Sequence, residues 1–256
     1  MNLLDVVFPP RCAACDAPGA WPLCRPCAKG VGVITPPWCE RCGRPWEEPL
    51  VSCADCPPAA IDRARAPFLY EGPLADAIKA MKFAGAHALA SHLAAAMAET
   101  IPGVDVEAIT WVPLSRRRRS RRGFDQAEVL ARALGKRLEL PVHRLLVRTR
   151  DARSQAQRSG ADRRAALRGA FRLTRRPPPS NVLLVDDVLT TGSTAAACAD
   201  ALKAGGASHV ALVTAARSLG GPVPARSRVL AAAGEARVPW VGLAPGSVVA
   251  RGKLPR

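Results

Sequence analysis

The stretch VLLVDDVLTTGST, from Val182 to Thr194, constrains this chain more than any other. Four apolar residues, Val182–Val185, have the length and composition of a strand buried on both faces of a parallel sheet. They deliver Asp186 and Asp187 to the strand's C-terminal end, where open α/β sheets collect their ligands. A helix is expected to open near Thr194, run through AAACADALKAGG and stop at Gly205-Gly206. Thr190, Thr191, Gly192, Ser193 and Thr194 then form a turn at a helix N-terminus, where backbone N–H groups and the helix dipole attract a phosphate. A plain strand-to-helix turn with an Asx cap seldom combines paired carboxylates with such a run of hydroxyls. An ATP-binding P-loop is excluded, because no Lys follows the glycine in the required frame. The layout points to a loop for a phosphorylated sugar.

Eight of the nine cysteines fall in four C-x-x-C pairs: Cys12/Cys15, Cys24/Cys27, Cys39/Cys42 and Cys53/Cys56. In a reducing compartment this pattern reads as two structural four-thiolate Zn²⁺ sites. Consecutive pairing and an interleaved, RING-like pairing both satisfy the spacing. Cys198, inside the helix after the acid-pair loop, reads as a small core residue. The four His residues show no metal-ligand spacing.

The formal net charge is +16, and it is concentrated. Between Thr110 and Arg176 stand twenty Lys or Arg against five Asp or Glu, so the rest of the chain is close to neutral. Such a segment implies a polyanionic partner or substrate. Its densest part, SRRRRSRRGF, is expected to be a loop whose Arg116, Arg117, Arg118, Arg119, Arg121 and Arg122 hold either pyrophosphate or DNA phosphates. The N-terminus lacks a basic region ahead of an apolar run, and no segment is long enough to span a membrane, so a cytoplasmic location is expected.

Three regions are expected. Residues 1–58 form a cysteine module too poor in apolar periodicity to fold without metal. Residues 59–217 alternate strands and helices, which implies an α/β domain with an open, mostly parallel sheet. Within it, Gly72-Pro73 marks a turn, AITWVPL and HVALVTAA mark strands, and HRLLVRTR marks a further strand. The polar run from Arg150 to Arg163 is expected to close over a ligand as a lid. Residues 218–256, rich in Pro, Gly and Ala, are expected to be poorly ordered.

Position by position, Val182–Thr194 resembles the phosphoribosyl pyrophosphate (PRPP) motif of type I phosphoribosyltransferases. The resemblance implies that Asp186 and Asp187 reach the ribose 2′- and 3′-hydroxyls. It further implies that Thr190–Thr194 hold the 5-phosphate and that Mg²⁺ rides on the pyrophosphate and ribose. The segments FPPRCAACD, YEGPLADAIKAMKFAG, VPLSRRRRSRRGFDQAEVLA and RTRDARSQAQRSGADRRAALRGAF precede the motif in an order similar to that of the ComF family, over roughly residues 1–217. That family implies a double zinc ribbon joined to a type I phosphoribosyltransferase-like fold, a link to DNA uptake in competent bacteria, and partners among single-stranded DNA and the uptake machinery. Two positions depart from it: Asp125 replaces an Asn, and Ala166 replaces another. Thr190 stands where 6-oxopurine salvage enzymes of this fold carry a carboxylate base, which argues against purine salvage. The acceptor is left open.

Overall fold

Two apolar nine-residue segments, each too hydrophobic to lie on a surface, pair in parallel at the centre of the molecule. A computed structural model describes residues 10–48, 51–83, 87–101, 105–149, 167 and 169–220, with backbone only at 82, 83 and 87. Among these, the strands are β1 (Arg63–Arg65), β2 (Phe68–Leu69), β3 (Ala108–Trp111), β4 (Leu146–Arg148), β5 (Phe171–Leu173), β6 (Asn181–Leu189) and β7 (His209–Arg217). The helices are α1 (Arg25–Lys29), α2 (Gly72–Phe83), α3 (His87–Thr100), α4 (Arg116–Arg122), α5 (Gln126–Leu138) and α6 (Ser193–Ala204).

The main sheet runs β1–β7–β6–β3, all parallel, with β2 alongside the far end of β7. Side chains alternate between the two faces over Val182–Val185 and Val210–Val213, as the two-residue strand period requires. Leu183, Val185, Ala211 and Val213 face the side covered by α2, α3 and α5. Val182, Leu184, Val210 and Leu212 face α6 and the β4–β5 pair. Burial on both faces explains why neither strand shows polar alternation.

Four expectations change. HRLLVRTR does yield a strand, β4, but it pairs antiparallel with β5 outside the main sheet. Its partner residue Phe171 lies beyond a long insertion, a pairing that local pattern does not encode. Gly72-Pro73 is the first turn of α2 rather than a separate turn. SRRRRSRRGF is not a loop. Ser115 caps it by accepting the Arg118 N–H at 3.4 Å, and Gly123 ends it in the left-handed region at φ +78°. Two caps, with three arginines in the last turn against the helix dipole, hold two turns of helix despite the like charges. Finally, β6 continues through the acid pair to Leu189 instead of stopping at Val185.

The cysteine segment packs onto the sheet. Cys12, Leu23, Ala28 and Val31 are part of the α2/α3/α5 core. The Arg41 guanidinium donates to the Pro57 and Ile61 carbonyls, and Ala64 N–H donates to the Arg41 carbonyl. The Arg150–Arg163 lid, Ala166 and the tail from residue 221 onward lie outside the described residues.

Candidate functional site

The acid pair stands where the sheet changes partners. β3 stays in register with β6 only as far as Trp111↔Val185, and the Val112 N–H closes that ladder on the Val185 carbonyl at 2.9 Å. Beyond it β6 pairs with β7 alone, from Asp186↔Thr214 to Leu189↔Arg217. The edge of β6 at Asp186 and Asp187 therefore opens into the crevice left as the chain after β3 turns away. Both carboxylates are half-buried, and Asp186 Oδ1 accepts the Asp187 N–H at 2.8 Å.

The loop after them is shaped by one glycine. Gly192 holds φ +71° directly before α6, and a Cβ there would lie 2.7 Å from the Pro57 Cβ. The Thr191 and Ser193 hydroxyls lie 2.9 Å apart, and the Ser193 N–H reaches Thr191 Oγ1 at 3.4 Å. Thr190 and Thr191 are exposed, Ser193 is buried and Thr194 is half-buried. With Asp186 and Thr214 they surround a cavity of about 70 Å³. First-turn N–H groups of a helix have no intrahelical acceptor, so the twelve-residue α6 presents donors here. Six of the seven residues read from the sequence as a ribose-phosphate site border this one cavity, and Asp187, the next residue on β6 after Asp186, is not among its lining residues.

The arginines divide. Arg122 is half-buried, donates to Gln126 Oε1 at 3.0 Å and lies within electrostatic range of Asp187. Burial and the neighbouring Arg118 lower its pKa, while Asp187 acts the other way. Arg116–Arg119 and Arg121 are exposed. Arg119 pairs with Glu128 at 3.5 Å. Asp125, one of the two family departures, is only 3% exposed. Its Oδ2 accepts the Leu114 N–H at 2.9 Å, which pins the turn between β3 and α4. Its Oδ1 is buried without a hydrogen-bond partner among the described residues, and burial pushes the carboxyl above the usual carboxylate range.

The cysteines resolve the pairing left open by their spacing. Cys12, Cys15, Cys24 and Cys27 form one cluster, and Cys39, Cys42, Cys53 and Cys56 form the other, with all sulfurs in each within 4.8 Å of one another. Pairing is consecutive. A tetrahedron with Zn–S bonds of about 2.3 Å has edges of about 3.8 Å. Cys15–Cys24, Cys39–Cys56 and Cys42–Cys53 are each separated by 3.6 Å, and Cys53–Cys56 by 3.9 Å, so the thiols fit that ion. Burial raises the Cys12 thiol, but N–H groups of Cys24, Cys15 and Ala14 outweigh it and bring it to about 7. Burial, aided by Cys42, pushes Cys53 to about 12. Cys198 is fully buried in the α6 core, as expected, and burial raises its thiol well above the ordinary value.

One feature of the site escaped the sequence. Arg217, the last residue of β7 and the register partner of Leu189, is 3% exposed and donates to the Cys42 carbonyl and, at 3.4 Å, to the Asp55 carbonyl. With the Pro57–Gly192 contact, it ties the second cysteine cluster to the phosphate loop. No local pattern announces a contact 175 residues apart.

Two family models match the chain: a double zinc ribbon domain over residues 3–57 and a phosphoribosyl transferase domain over residues 120–231. The DNA utilization protein YhgH of Salmonella typhimurium is 32% identical over 218 residues, covering 80% of this chain and 96% of that protein. Competence protein F of Haemophilus influenzae is 32% identical over 67% of this chain and 80% of its own. The chain belongs to the ComF family. Competence protein ComFC of Bacillus subtilis is 27% identical over 77% of this chain and 84% of its own. Among solved structures, the glutamine PRPP amidotransferase of B. subtilis matches at 22% identity with a TM-score of 0.36, covering 50% of this chain and 26% of that one. ComF membership accounts for the union of a double zinc ribbon with a phosphoribosyltransferase-like sheet. No helix among the described residues is long and apolar enough to cross a membrane.

Proposed function

We propose that this ComF protein binds PRPP at the β6–α6 loop and acts as a phosphoribosyltransferase-like component of DNA uptake in the cytoplasm. The observation that carries this reading is the half-buried acid pair on the open edge of β6, joined without a break to a hydroxyl loop at a helix N-terminus. Asp186 and Asp187 would accept hydrogen bonds from the ribose hydroxyls. The hydroxyls of Thr190, Thr191, Ser193 and Thr194 and the first-turn N–H groups of α6 would hold the 5-phosphate, with Gly192 allowing the backbone to approach. Arg122, in range of Asp187, would neutralise the departing pyrophosphate as the C1–oxygen bond loosens. Mg²⁺, bound with PRPP, would supply further charge neutralisation there. The domain division at residues 58 and 217 is part of this reading.

A second reading has its own support. Five of the six arginines of α4 are exposed, and a short helix of that charge suits the phosphates of a single strand. On this reading the protein binds single-stranded DNA as an uptake accessory, and PRPP is its ligand or regulator. Isotopically labelled PRPP incubated with cell extract distinguishes the two. A labelled product that forms with wild type and not with Asp186→Asn/Asp187→Asn supports transfer. PRPP binding without any such product supports the accessory role.

A further inference from the structure

The two cysteine clusters stand in different relations to the acid-pair loop. Cys12 of the first belongs to the core on the α2/α3/α5 side of the sheet, whereas Ala195 and Ala196 at the start of α6 belong to the core on the other side. The second cluster meets the loop directly. Pro57 follows Cys56, and its Cβ and Cα stand 2.7 and 3.5 Å from where a Gly192 Cβ would lie. Arg41, between Cys39 and Cys42, fixes Pro57 by donating to its carbonyl at 2.8 Å.

Arg217 makes the second connection. Its backbone lies opposite Leu189 in the β6–β7 ladder, and the next N–H, of Ser218, closes on the Leu189 carbonyl at 2.8 Å. Its guanidinium donates to the Cys42 carbonyl and, at 3.4 Å, to the Asp55 carbonyl, so it spans both knuckles of the cluster. Burial works against the Cys42 thiolate, and the Arg217 charge works for it. Arg217 is 3% exposed and its Nε has no hydrogen-bond partner among the described residues, so the knuckle carbonyls are the acceptors that hold this buried cation. A four-thiol segment of this kind takes its order from the metal. Without zinc the knuckles would release Pro57 from Gly192 and leave Arg217 buried with no acceptor. That state is costly enough to shift the end of β7, and with it Leu189 and the loop that follows.

We propose that zinc in the second cluster, and not in the first, holds the phosphate loop in its binding form, with Arg217 and Pro57 as the positioning residues that carry the effect. Zinc occupancy and ligand affinity are then reciprocal: whatever the zinc does for the ligand, a bound ligand does for the zinc. The inference rests on the PRPP reading for the identity of that ligand, while the effect of zinc on the loop itself does not need it.

Hydrogen exchange of residues 188–197, read by mass spectrometry on the full chain, follows the loop without any ligand. Cys39→Ser should speed that exchange and weaken PRPP affinity by about tenfold or more, and Cys12→Ser should change both by less than about threefold. Arg217→Gln, which keeps every cysteine, should move both in the Cys39→Ser direction at full zinc content, and Arg217→Lys should restore part of the loss. If Cys39→Ser does not fold, Arg217→Gln decides. The reciprocal arm times zinc release to a chromogenic chelator. PRPP with Mg²⁺ should slow the equivalent that Cys12→Ser retains and not the one that Cys39→Ser retains, and it should have no effect in Asp186→Asn/Asp187→Asn. Exchange and affinity at wild-type levels in Cys39→Ser and Arg217→Gln would overturn the proposal, as would equal effects of Cys12→Ser and Cys39→Ser. A wild type that binds no PRPP, yet whose loop exchange still depends on the second zinc alone, would overturn the PRPP reading and leave the zinc–loop connection standing.

Discussion

Gly192→Ala probes the link between the phosphate loop and the zinc ribbon, and its cost can be worked out. The residue sits at φ +71°, where an L side chain costs roughly 1–2 kcal/mol. The new Cβ would lie 2.7 Å from the Pro57 Cβ and 3.4 Å from a Leu189 methyl. Because Pro57 follows Cys56 in the second knuckle, it has little room to retreat, and overpacking of this kind costs about 1–3 kcal/mol. Reduced freedom of the unfolded chain returns roughly 0.4–1 kcal/mol. The net expectation is a loss of about 1–4 kcal/mol, or several degrees in Tm for a chain of this size. Urea unfolding in excess zinc measures it. The steric part can be isolated by a cycle with Pro57→Gly, which removes the opposing Cβ. The double variant should recover about 1–3 kcal/mol relative to the sum of the singles. Strict additivity would refute the claim that the knuckle buttresses the loop, and an unperturbed Gly192→Ala would refute the strain as well.

Metal analysis of purified protein should find two zinc ions per chain, with Cys12→Ser and Cys39→Ser each losing about one equivalent. Loss of both metals from either single variant would refute independent sites. For Asp125, whose folded pKa is raised, the ionised carboxylate destabilises the fold above that pKa, and the penalty disappears below the unfolded value of about 3.9. Asp125→Asn should therefore stabilise the protein at neutral pH by about 1–3 kcal/mol and give progressively less as pH falls, as paired denaturation curves from pH 7 to 4 would show. A pH-independent difference would assign the effect to packing instead. Changing Arg116–Arg119 to Gln should weaken single-strand binding and flatten its salt slope by about 0.7 per lost contact, leaving PRPP affinity nearly intact. Arg122→Gln should do the reverse.

What could be read from the sequence was what is encoded locally. The β6–loop–α6 unit was legible because its strand, acids, glycine and helix lie within one continuous stretch whose period changes from two to 3.6. Cysteine spacing revealed the clusters but not their pairing, which depends on how the chain folds between the knuckles. The arginine run was misread because its charge outweighed its caps, although Ser115 and Gly123 were both visible as N-cap and C-terminal stop. The β4–β5 pairing and the reach of Arg217 to the Cys42 carbonyl depend on contacts across long separations.

The central claim is that Asp186, Asp187 and the Thr190–Thr194 loop form a PRPP site, and titration calorimetry with PRPP and Mg²⁺ tests it most directly. Wild type should bind one PRPP per chain, and the double variant Asp186→Ala/Asp187→Ala should lose at least about 2 kcal/mol of binding free energy, since two charge-assisted hydrogen-bonding groups are removed. Its zinc content should stay unchanged, which separates loss of the site from loss of the fold. Unaltered PRPP affinity in a variant that keeps both zinc ions would contradict the account.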